Sequence, residues 1–323
     1  MAREIVVYDT NAYRSIGRRH LDAVQRAQRE HSVVPVVSKF VAFELISACY
    51  GDTARDAMGA WHGLHALARH TQLWDGRPYI PFTQSHIEQR VLSPAARRDD
   101  AAMVSRLGQL ILQLAECATP PINGPLAEAS REIRTYVLER EAAYGDALHE
   151  ASQMAAALML EQSEAGTDRE AQLGAMRFLR KRGDGLTAEI FAMLGEGFDE
   201  DSPDVALARE ATWMQQHAAT AIAFMHHQIV LAAGREIDPR QPRHANSVWD
   251  ARVCALIDLE AKLSADPRFN GAPVFVVTSE AQILAAAQAA GHRSRVRSLG
   301  EHCDRIGLAA LAQIQGWLPR RVA

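Results

Sequence analysis

Cysteine, lysine and long apolar runs are all scarce in this sequence. Its 323 residues contain no Cys-x-x-Cys pair, and the four cysteines lie far apart, at Cys49, Cys117, Cys254 and Cys303. Disulfides persist mainly in oxidising compartments, so we interpret the four as reduced thiols of a cytosolic protein. No apolar segment approaches the roughly 18 residues that a membrane span needs, and the N-terminus lacks the regions of a signal peptide. We therefore expect a soluble, cytoplasmic protein without a membrane partner.

Motifs for nucleotide cofactors and for zinc are also missing. The sequence has neither a Gly-x-Gly-x-x-Gly loop nor a Walker loop, so no phosphate cradle for a nucleotide is evident. His226 and His227 are neighbours on a predicted helix, and we interpret them as core or surface side chains because their rings point about a third of a turn apart. Lysine occurs only at Lys39, Lys181 and Lys262, and the excess of arginine and alanine indicates a coding bias. The net charge of −4 leaves nucleic acid open, because a local basic patch is enough to bind phosphate.

The first hundred residues alternate between predicted strands and helices. The chain is 48% hydrophobic and 23% charged, which is typical of a globular protein able to bury a substantial core in one domain or two. Short apolar runs predict strands at residues 4–8, 32–37 and 77–82. Apolar residues at helical spacing predict helices at residues 12–31, at 38–70 with a break near Gly51, and from about Ser85. This β-α-β-α-β-α order predicts an α/β fold with a doubly wound, mostly parallel sheet.

The middle of the chain has a different pattern, because its apolar spacing is helical throughout. The predicted helices of this stretch are residues 103–114, 126–162, 166–181, 186–194 and 202–234. The later elements are a helix at 244–257, a strand at 272–278, a helix at 281–290, a strand at 295–299 and a helix at 303–317. We therefore predict an α/β core formed by residues 1–100 and 235–323, with residues 101–234 as an inserted all-helical bundle.

Four acidic residues fall at comparable ends of these elements. Asp9 follows the first strand, and Glu280 follows the strand at 272–278. Glu44 lies near the start of the helix that Ser38 is expected to cap, and Asp250 lies near the start of the helix at 244–257. In an open parallel sheet, the carboxyl ends of strands and the N-terminal ends of the following helices share one edge. We therefore expect the four carboxylates to converge.

Four like charges held together repel one another unless a cation neutralises them. Carboxylate oxygens are hard ligands that favour Mg²⁺ or Mn²⁺, and the sequence has no His or Cys cluster to favour zinc. Such an ion activates water and stabilises the charge that develops on a phosphodiester, as in two-metal nucleases. The predicted catalytic and metal-binding residues are Asp9, Glu44, Asp250 and Glu280.

Five polar residues lie beside these acids in the sequence, namely Thr10, Asn11, Asn246, Ser247 and Thr278. They are candidates to orient metal-bound water or phosphate. Helix caps and turns are the alternative for each of them. Asp-Thr-Asn in particular also makes an ordinary strand-to-helix turn in which Thr10 or Asn11 caps the helix, and Ser247 is a candidate N-cap.

Four sequence blocks occur in the order and contexts of a PIN domain, which the chain resembles. The blocks are Val7-Tyr-Asp-Thr-Asn11, Ser38-Lys-Phe-Val-Ala-Phe-Glu44-Leu, Asp250-Ala-Arg-Val-Cys-Ala255 and Val276-Val-Thr-Ser-Glu280. The resemblance covers about the first hundred residues and about the last eighty. It implies metal-dependent hydrolysis of phosphodiesters, most often in RNA, as in the toxins of bacterial toxin–antitoxin pairs. It also implies that Asp9, Glu44 and Asp250 are the three principal metal-binding acids and that Glu280 is the fourth.

The chain departs from the PIN pattern in two ways. The fourth acidic position is more usually Asp, and Glu280 reaches about one carbon further, which bears on whether a second metal is bound. The large insertion before Asp250 is unlike the compact toxins. RNA is the expected substrate, with DNA as the alternative, and a second copy of the chain and an antitoxin-like protein are the candidate protein partners.

Two other functions are compatible with parts of the pattern. A PIN-like module that binds RNA or protein without cleaving would use the helices as its interaction surface. The presence of all four acids argues against it, because unneutralised carboxylates are costly in a scaffold. A phosphotransferase of the haloacid-dehalogenase type would use Asp9 as a nucleophile. That family has a second acid two residues later, where this chain has Asn11.

Overall fold

The computed structural model describes residues 4–51, 53–71, 94–163, 218–258 and 271–308. Contacts divide the chain into two compact units, which we describe separately. The first comprises Met1–Gln84, Asp99–Val137 and Leu259–Ala323, and the second comprises Ser85–Arg98 and Leu138–Asp258. These bounds differ from those of the predicted α/β core, residues 1–100 and 235–323, and of the predicted helical insertion, residues 101–234. The division into core and insertion stays a prediction. The four predicted site acids are divided between the units: Asp250 belongs to the second, and the other three belong to the first.

Four parallel strands form the sheet in the described part of the first unit. They are β1 (Glu4–Tyr8), β2 (Val33–Val36), β3 (Val274–Thr278) and β4 (Val296–Ser298), in the order β2-β1-β3-β4. Ile5 of β1 is in register with Val34 of β2 and with Val274 of β3. Every residue of β1 is buried, as the continuous apolar run of a central parallel strand requires. The α/β class and the parallel sheet are therefore as predicted.

The strand order creates a crevice at the carboxyl ends of β1 and β3. The strand that follows β1 in sequence, β2, lies on one side of it, and the later strand β3 lies on the other. At such a reversal of strand order the connections leave in opposite directions and open a cleft, which is where open α/β sheets bind ligands. Asp9 follows β1 directly, and Glu280 lies two residues beyond β3. Both acids therefore lie at the edge of the sheet that the sequence predicts for them.

The helices α1 (Thr10–Glu30) and α2 (Lys39–Ala48) follow β1 and β2 and begin at this same edge. Other helices come later in the chain, namely α3 (Ala54–His70), and α4 (Pro94–Glu116) and α5 (Pro125–Ser163), whose residues are divided between the two units. The predicted helix at 38–70 is thus two helices, and Thr53 caps the second by accepting a hydrogen bond from the Asp56 N–H. Gly17 interrupts α1 with φ of 49°, a backbone conformation that glycine adopts without steric cost.

A chain of buried polar side chains ties three helices to β1. The Tyr8 hydroxyl lies 2.6 Å from His302 Nε2 and accepts a hydrogen bond from the Gln28 amide, whose oxygen lies 2.5 Å from His70 Nε2. Burial lowers the pKa of both histidines to about 3, so both rings are neutral at pH 7. Buried polar groups that find partners fix the packing of their elements more closely than apolar contacts do.

The second unit is helical in its described part. It contains α6 (Ala219–Ala233), the short α7 (Pro242–Ala245) and α8 (Ser247–Asp258), and α6 packs on α8. The Asp258 carboxylate accepts hydrogen bonds from Thr220 N–H at 2.9 Å and from Thr220 Oγ1 at 2.6 Å, which satisfies one free N–H of the first turn of α6. The Trp249 indole N–H donates to Glu141 Oε1 at 2.9 Å and joins α8 to α5.

The remaining predicted elements are found close to their expected bounds. After β3 come α9 (Ala281–Ala289), a 3₁₀ turn (Arg293–Arg295) and α10 (Leu299–Arg305), which begins four residues earlier than predicted. Several predicted segments lie outside the described residues. They are the strand at 77–82, the first part of the helix from Ser85, the helices at 166–181 and 186–194, residues 202–217 of the helix at 202–234, and residues 309–317 of the helix at 303–317. None of the helices that the structure describes is long and apolar enough to cross a membrane.

Two helical glycines should respond in opposite ways to a methyl group. A Cβ at Gly145 would lie 2.7 Å from the Pro239 carbonyl oxygen, whereas a Cβ at Gly59 would meet nothing within 4 Å. We expect Gly145→Ala to lower the free energy of unfolding by about 1–3 kcal/mol through overpacking. Gly59→Ala should raise it by about 0.5–1 kcal/mol, because alanine is the better helix former. Urea unfolding of both variants measures this, and equal effects of the same sign would contradict the packing described here.

Candidate functional site at the carboxyl edge of the sheet

Asp9 is both the N-cap of α1 and the most buried acid at this edge. Its side chain is only 3% exposed. Its Oδ1 accepts a hydrogen bond from the Ala12 N–H at 2.6 Å, and its Oδ2 accepts one from the Thr278 hydroxyl. The expectation that Thr10 or Asn11 caps α1 is therefore wrong, because Asp9 occupies the N-cap position itself. With the cap role taken by Asp9, the side chains of Thr10 and Asn11 are left for other partners.

Those partners are the two glutamates of the predicted site. The Thr10 hydroxyl donates a hydrogen bond to Glu44 Oε2, and the Asn11 amide donates one to Glu280 Oε1. Both glutamates are half-buried. The first turn of α1 therefore reaches from the end of β1 to α2 on one side and to the start of α9 on the other.

Thr278 links two of the acids from the end of β3. Its hydroxyl donates to Asp9 and accepts a hydrogen bond from the Glu280 N–H at 2.9 Å. Glu280 is the N-cap of α9 but makes no side-chain cap bond, so its carboxylate is directed to Asn11 instead. In the structure the Thr278 hydroxyl orients Asp9. The role predicted for Thr278, which was to orient metal-bound water or phosphate, stays a prediction.

Burial raises the pKa of Asp9 to about 7. The hydrogen bonds from Thr278 and Ala12 oppose this shift, and the charges of Glu280 and Glu44 add to it. Burial also raises the pKa of Glu44, against the opposing effects of the Arg14 guanidinium and the Thr10 hydroxyl, while the Glu280 charge adds to the rise. The charges of both glutamates thus act on Asp9, and the charge of Glu280 acts on Glu44.

Asp250 has a different setting within the second unit. It is half-buried in the first turn of α8, and its charge contributes to the raised pKa values of Tyr144 and Cys254, for which burial is the main cause. Ser247 is the first residue of α8 and is buried, while Asn246 is exposed and ends α7. The place of Asp250, Asn246 and Ser247 in a common site with the first unit stays a prediction.

The potential metal-ligand atoms at this edge are those that a hard cation would select. All are carboxylate, hydroxyl or amide oxygens, which suit Mg²⁺ or Mn²⁺. Among the residues that the structure describes, no three His, Cys, Asp or Glu side chains are arranged as a metal site as they stand. The three acids of the first unit are instead connected through Thr10, Asn11 and Thr278, so binding of an ion requires adjustment of the glutamate side chains or a further ligand.

Two residues at this edge were not identified from the sequence as candidates for the site. Arg14 lies one turn after Thr10 on α1, and its charge acts on Glu44; the spacing of four residues is the signal that places it on the face of Thr10. Ser38 occupies the predicted N-cap position of α2 but makes no cap bond, and its buried hydroxyl has no hydrogen-bond partner in the described ranges. An N-cap pattern in sequence does not reveal whether the cap bond forms.

The comparisons with known proteins add no relative to this geometry: no family model, no curated protein and no solved structure matches the chain. The resemblance to PIN domains therefore depends on the four sequence blocks.

Replacement of Asp9 by asparagine should stabilise the metal-free protein at neutral and alkaline pH. The pKa of Asp9 is about 7 in the folded state against 3.8 for an exposed aspartate, so ionisation favours the unfolded chain and stability falls as pH rises from about 4 to about 7. We expect Asp9→Asn to be more stable than the wild type at pH 8 by roughly 2–4 kcal/mol and nearly equal to it at pH 4.

Denaturant unfolding in EDTA at pH 4, 6 and 8 measures the effect. Asp22→Asn is the matched control, because Asp22 is an exposed carboxylate on the same helix whose ion pair with the exposed Arg69 contributes at most about 1 kcal/mol. A difference between Asp9→Asn and the wild type that does not change with pH would contradict the electrostatic environment described for Asp9.

Proposed function

We propose that the protein is a metal-dependent nuclease with a PIN-like, doubly wound core, and that it cleaves RNA phosphodiester bonds internally. One observation carries the proposal: Asp9, Glu44 and Glu280 are linked through Thr10, Asn11 and Thr278 at the carboxyl ends of β1 and β3, and the pKa of Asp9 is raised by burial and by the charges of the two glutamates. A cleft at this point of a parallel sheet is the usual ligand site of the fold class. The compartment proposed for this activity is the cytoplasm.

A bound cation would neutralise the negative charge of these acids. Three carboxylates near one another are unfavourable when ionised, and Asp9 has also lost contact with water. A bound Mg²⁺ or Mn²⁺ would be held by Asp9, Glu44 and Glu280, with Asp250 as the fourth predicted ligand. Once bound, such an ion supplies an activated water and stabilises charge on the phosphodiester.

The side chains around the acids have defined tasks in this proposal. Thr278 orients Asp9, Thr10 orients Glu44, and Asn11 orients Glu280, each through one hydrogen bond. Every carboxylate oxygen can accept more than one contact, so these bonds leave lone pairs for a cation. Neighbours of this kind fix the direction of metal ligands in known metal sites.

A second function is favoured by one feature of the same site. Because the pKa of Asp9 is near 7, a proton can neutralise this acid in place of a cation. In that case the cluster is stable without metal, and the chain is a PIN-like module that binds RNA or protein without cleaving. Metal binding separates the two candidates, since a ligand that binds only the folded state must stabilise it.

Two measurements test the nuclease proposal. MnCl₂ should raise the melting temperature of the wild type by several degrees in a saturable way, and Asp9→Asn should lose most of this shift. In the presence of Mn²⁺ the wild type should cleave a mixed single-stranded RNA, with DNA of the same sequence as a parallel substrate. Asp9→Asn and Asp250→Asn should each reduce cleavage at least about a hundredfold, whereas Asp22→Asn should leave it unchanged.

The outcomes distinguish the candidates. A stabilising effect of Mn²⁺ without cleavage of either nucleic acid would remove the nuclease proposal and leave a metal-binding protein. No effect of Mn²⁺ on melting would favour the non-cleaving module. Full activity of Asp250→Asn would remove that residue from the site while leaving the three acids of the first unit in place.

A further inference from the structure

Arg14 is a positively charged side chain at the acidic edge of the sheet. It lies four residues after Thr10 on α1, and residues at that spacing share one face of a helix. Thr10 uses this face to donate a hydrogen bond to Glu44, and the charge of Arg14 favours the ionised form of the same glutamate. The charge of Arg14 also acts on Cys49 at the end of α2, so the guanidinium lies near α2, the helix that carries Glu44.

The stem of Arg14 is held where α1 packs on α3. A Cβ built on Gly63 of α3 would lie 3.4 Å from Arg14 Cγ and 3.0 Å from Leu45 Cδ2. Glycine at position 63 thus leaves the space that the arginine stem occupies. Because the first carbons of the side chain are packed, the guanidinium has fewer directions open to it than a surface arginine has.

The guanidinium has hydrogen-bonding capacity that the described part of the protein does not use. Its Nε is buried and makes no hydrogen bond to any residue in the described ranges. Arginine presents five N–H donors in a planar fork that matches two oxygens of a phosphate or carboxylate. A buried N–H without a partner is unfavourable, so an unpaired donor next to a ligand cleft indicates a group that arrives with the ligand.

The positive charge of the guanidinium indicates that the arriving group is an anion. A nucleic-acid strand that approaches Asp9, Glu44 and Glu280 is repelled by three carboxylates, and a cation bound among them offsets only part of this repulsion. We propose that Arg14 binds a phosphate group of the RNA strand beside the acidic cluster, an inference that rests on the proposed nuclease function. Arginine is suited to this task because its bidentate hydrogen bonds both attract and orient a phosphate.

Salt dependence of RNA binding tests the contact without requiring cleavage. The probe is a fluorescein-labelled 12-nucleotide single-stranded RNA of mixed sequence, titrated in EDTA at several KCl concentrations. Loss of one phosphate contact lowers the slope of log Kd against log salt by about 0.7 for a single strand. We expect Arg14→Gln to show this loss and to bind about tenfold more weakly at low salt.

Two further variants serve as comparisons. Arg26→Gln makes the same charge change on the same helix, at an exposed position beyond the kink at Gly17, and should bind like the wild type. Arg14→Lys keeps the charge but loses the fork, so it should keep the wild-type slope and recover only part of the affinity. Melting temperatures of all variants verify that the fold is retained.

The results separate this inference from the nuclease proposal. If Arg14→Gln has the slope and affinity of Arg26→Gln, Arg14 acts only as a counter-charge for Glu44 and the inference is wrong, whether or not the wild type cleaves RNA. Absence of RNA binding by the wild type overturns it as well. If the slope falls as expected but Mn²⁺ supports no cleavage, the phosphate contact stands and the nuclease proposal fails.

Discussion

The loss of water around Asp9 and Glu44 is the constraint on which the candidate site depends. One acid lies at the end of the central strand and the other in the second turn of α2, and both have raised pKa values chiefly because folding removes their solvent. A carboxylate in such a place needs hydrogen-bond donors or a positive charge. The first turn of α1 supplies donors through Thr10, Asn11 and the Ala12 N–H. One turn of helix thus serves three acids, because it begins where the strand ends.

These hydrogen bonds form only if α1 keeps its position relative to β1. The chain of buried polar side chains around Tyr8 helps to fix that position. Tyr8 immediately precedes Asp9, and its hydroxyl is held by Gln28 of α1 and by His302 of α10. Burial keeps both histidines of the chain neutral at pH 7, so the chain adds no further charge near the acids. Polar side chains in the core therefore fix the position of Asp9 without altering the charge balance at the sheet edge.

Much of this arrangement could be predicted from sequence, because its causes are local. The runs around Val6, Val34 and Val276 are apolar over the length of a strand, and helical spacing marks most of the helices. The position of an acid after a strand follows from that pattern, which is why Asp9 and Glu280 were predicted at the edge where they lie. What could not be predicted is the pairing of side chains, since Asn11 and Glu280 are 269 residues apart in the chain. The division that places Asp250 in another unit also depends on contacts that no local pattern records.

The proton and the proposed cation compete at Asp9, and this competition links the two candidate functions. Near pH 7 a large fraction of Asp9 carries a proton, so a metal ion that binds there must displace it. The apparent metal affinity of the site must then rise with pH until Asp9 is fully ionised in the free protein. The pKa of Glu44 is also raised, chiefly by burial and against the positive charge of Arg14, so a proton competes with the proposed cation at the glutamate as well. In the proposed site an incoming ion therefore has to displace a proton from Asp9, and the pKa of Asp9 limits the pH range in which the proposed cation binds.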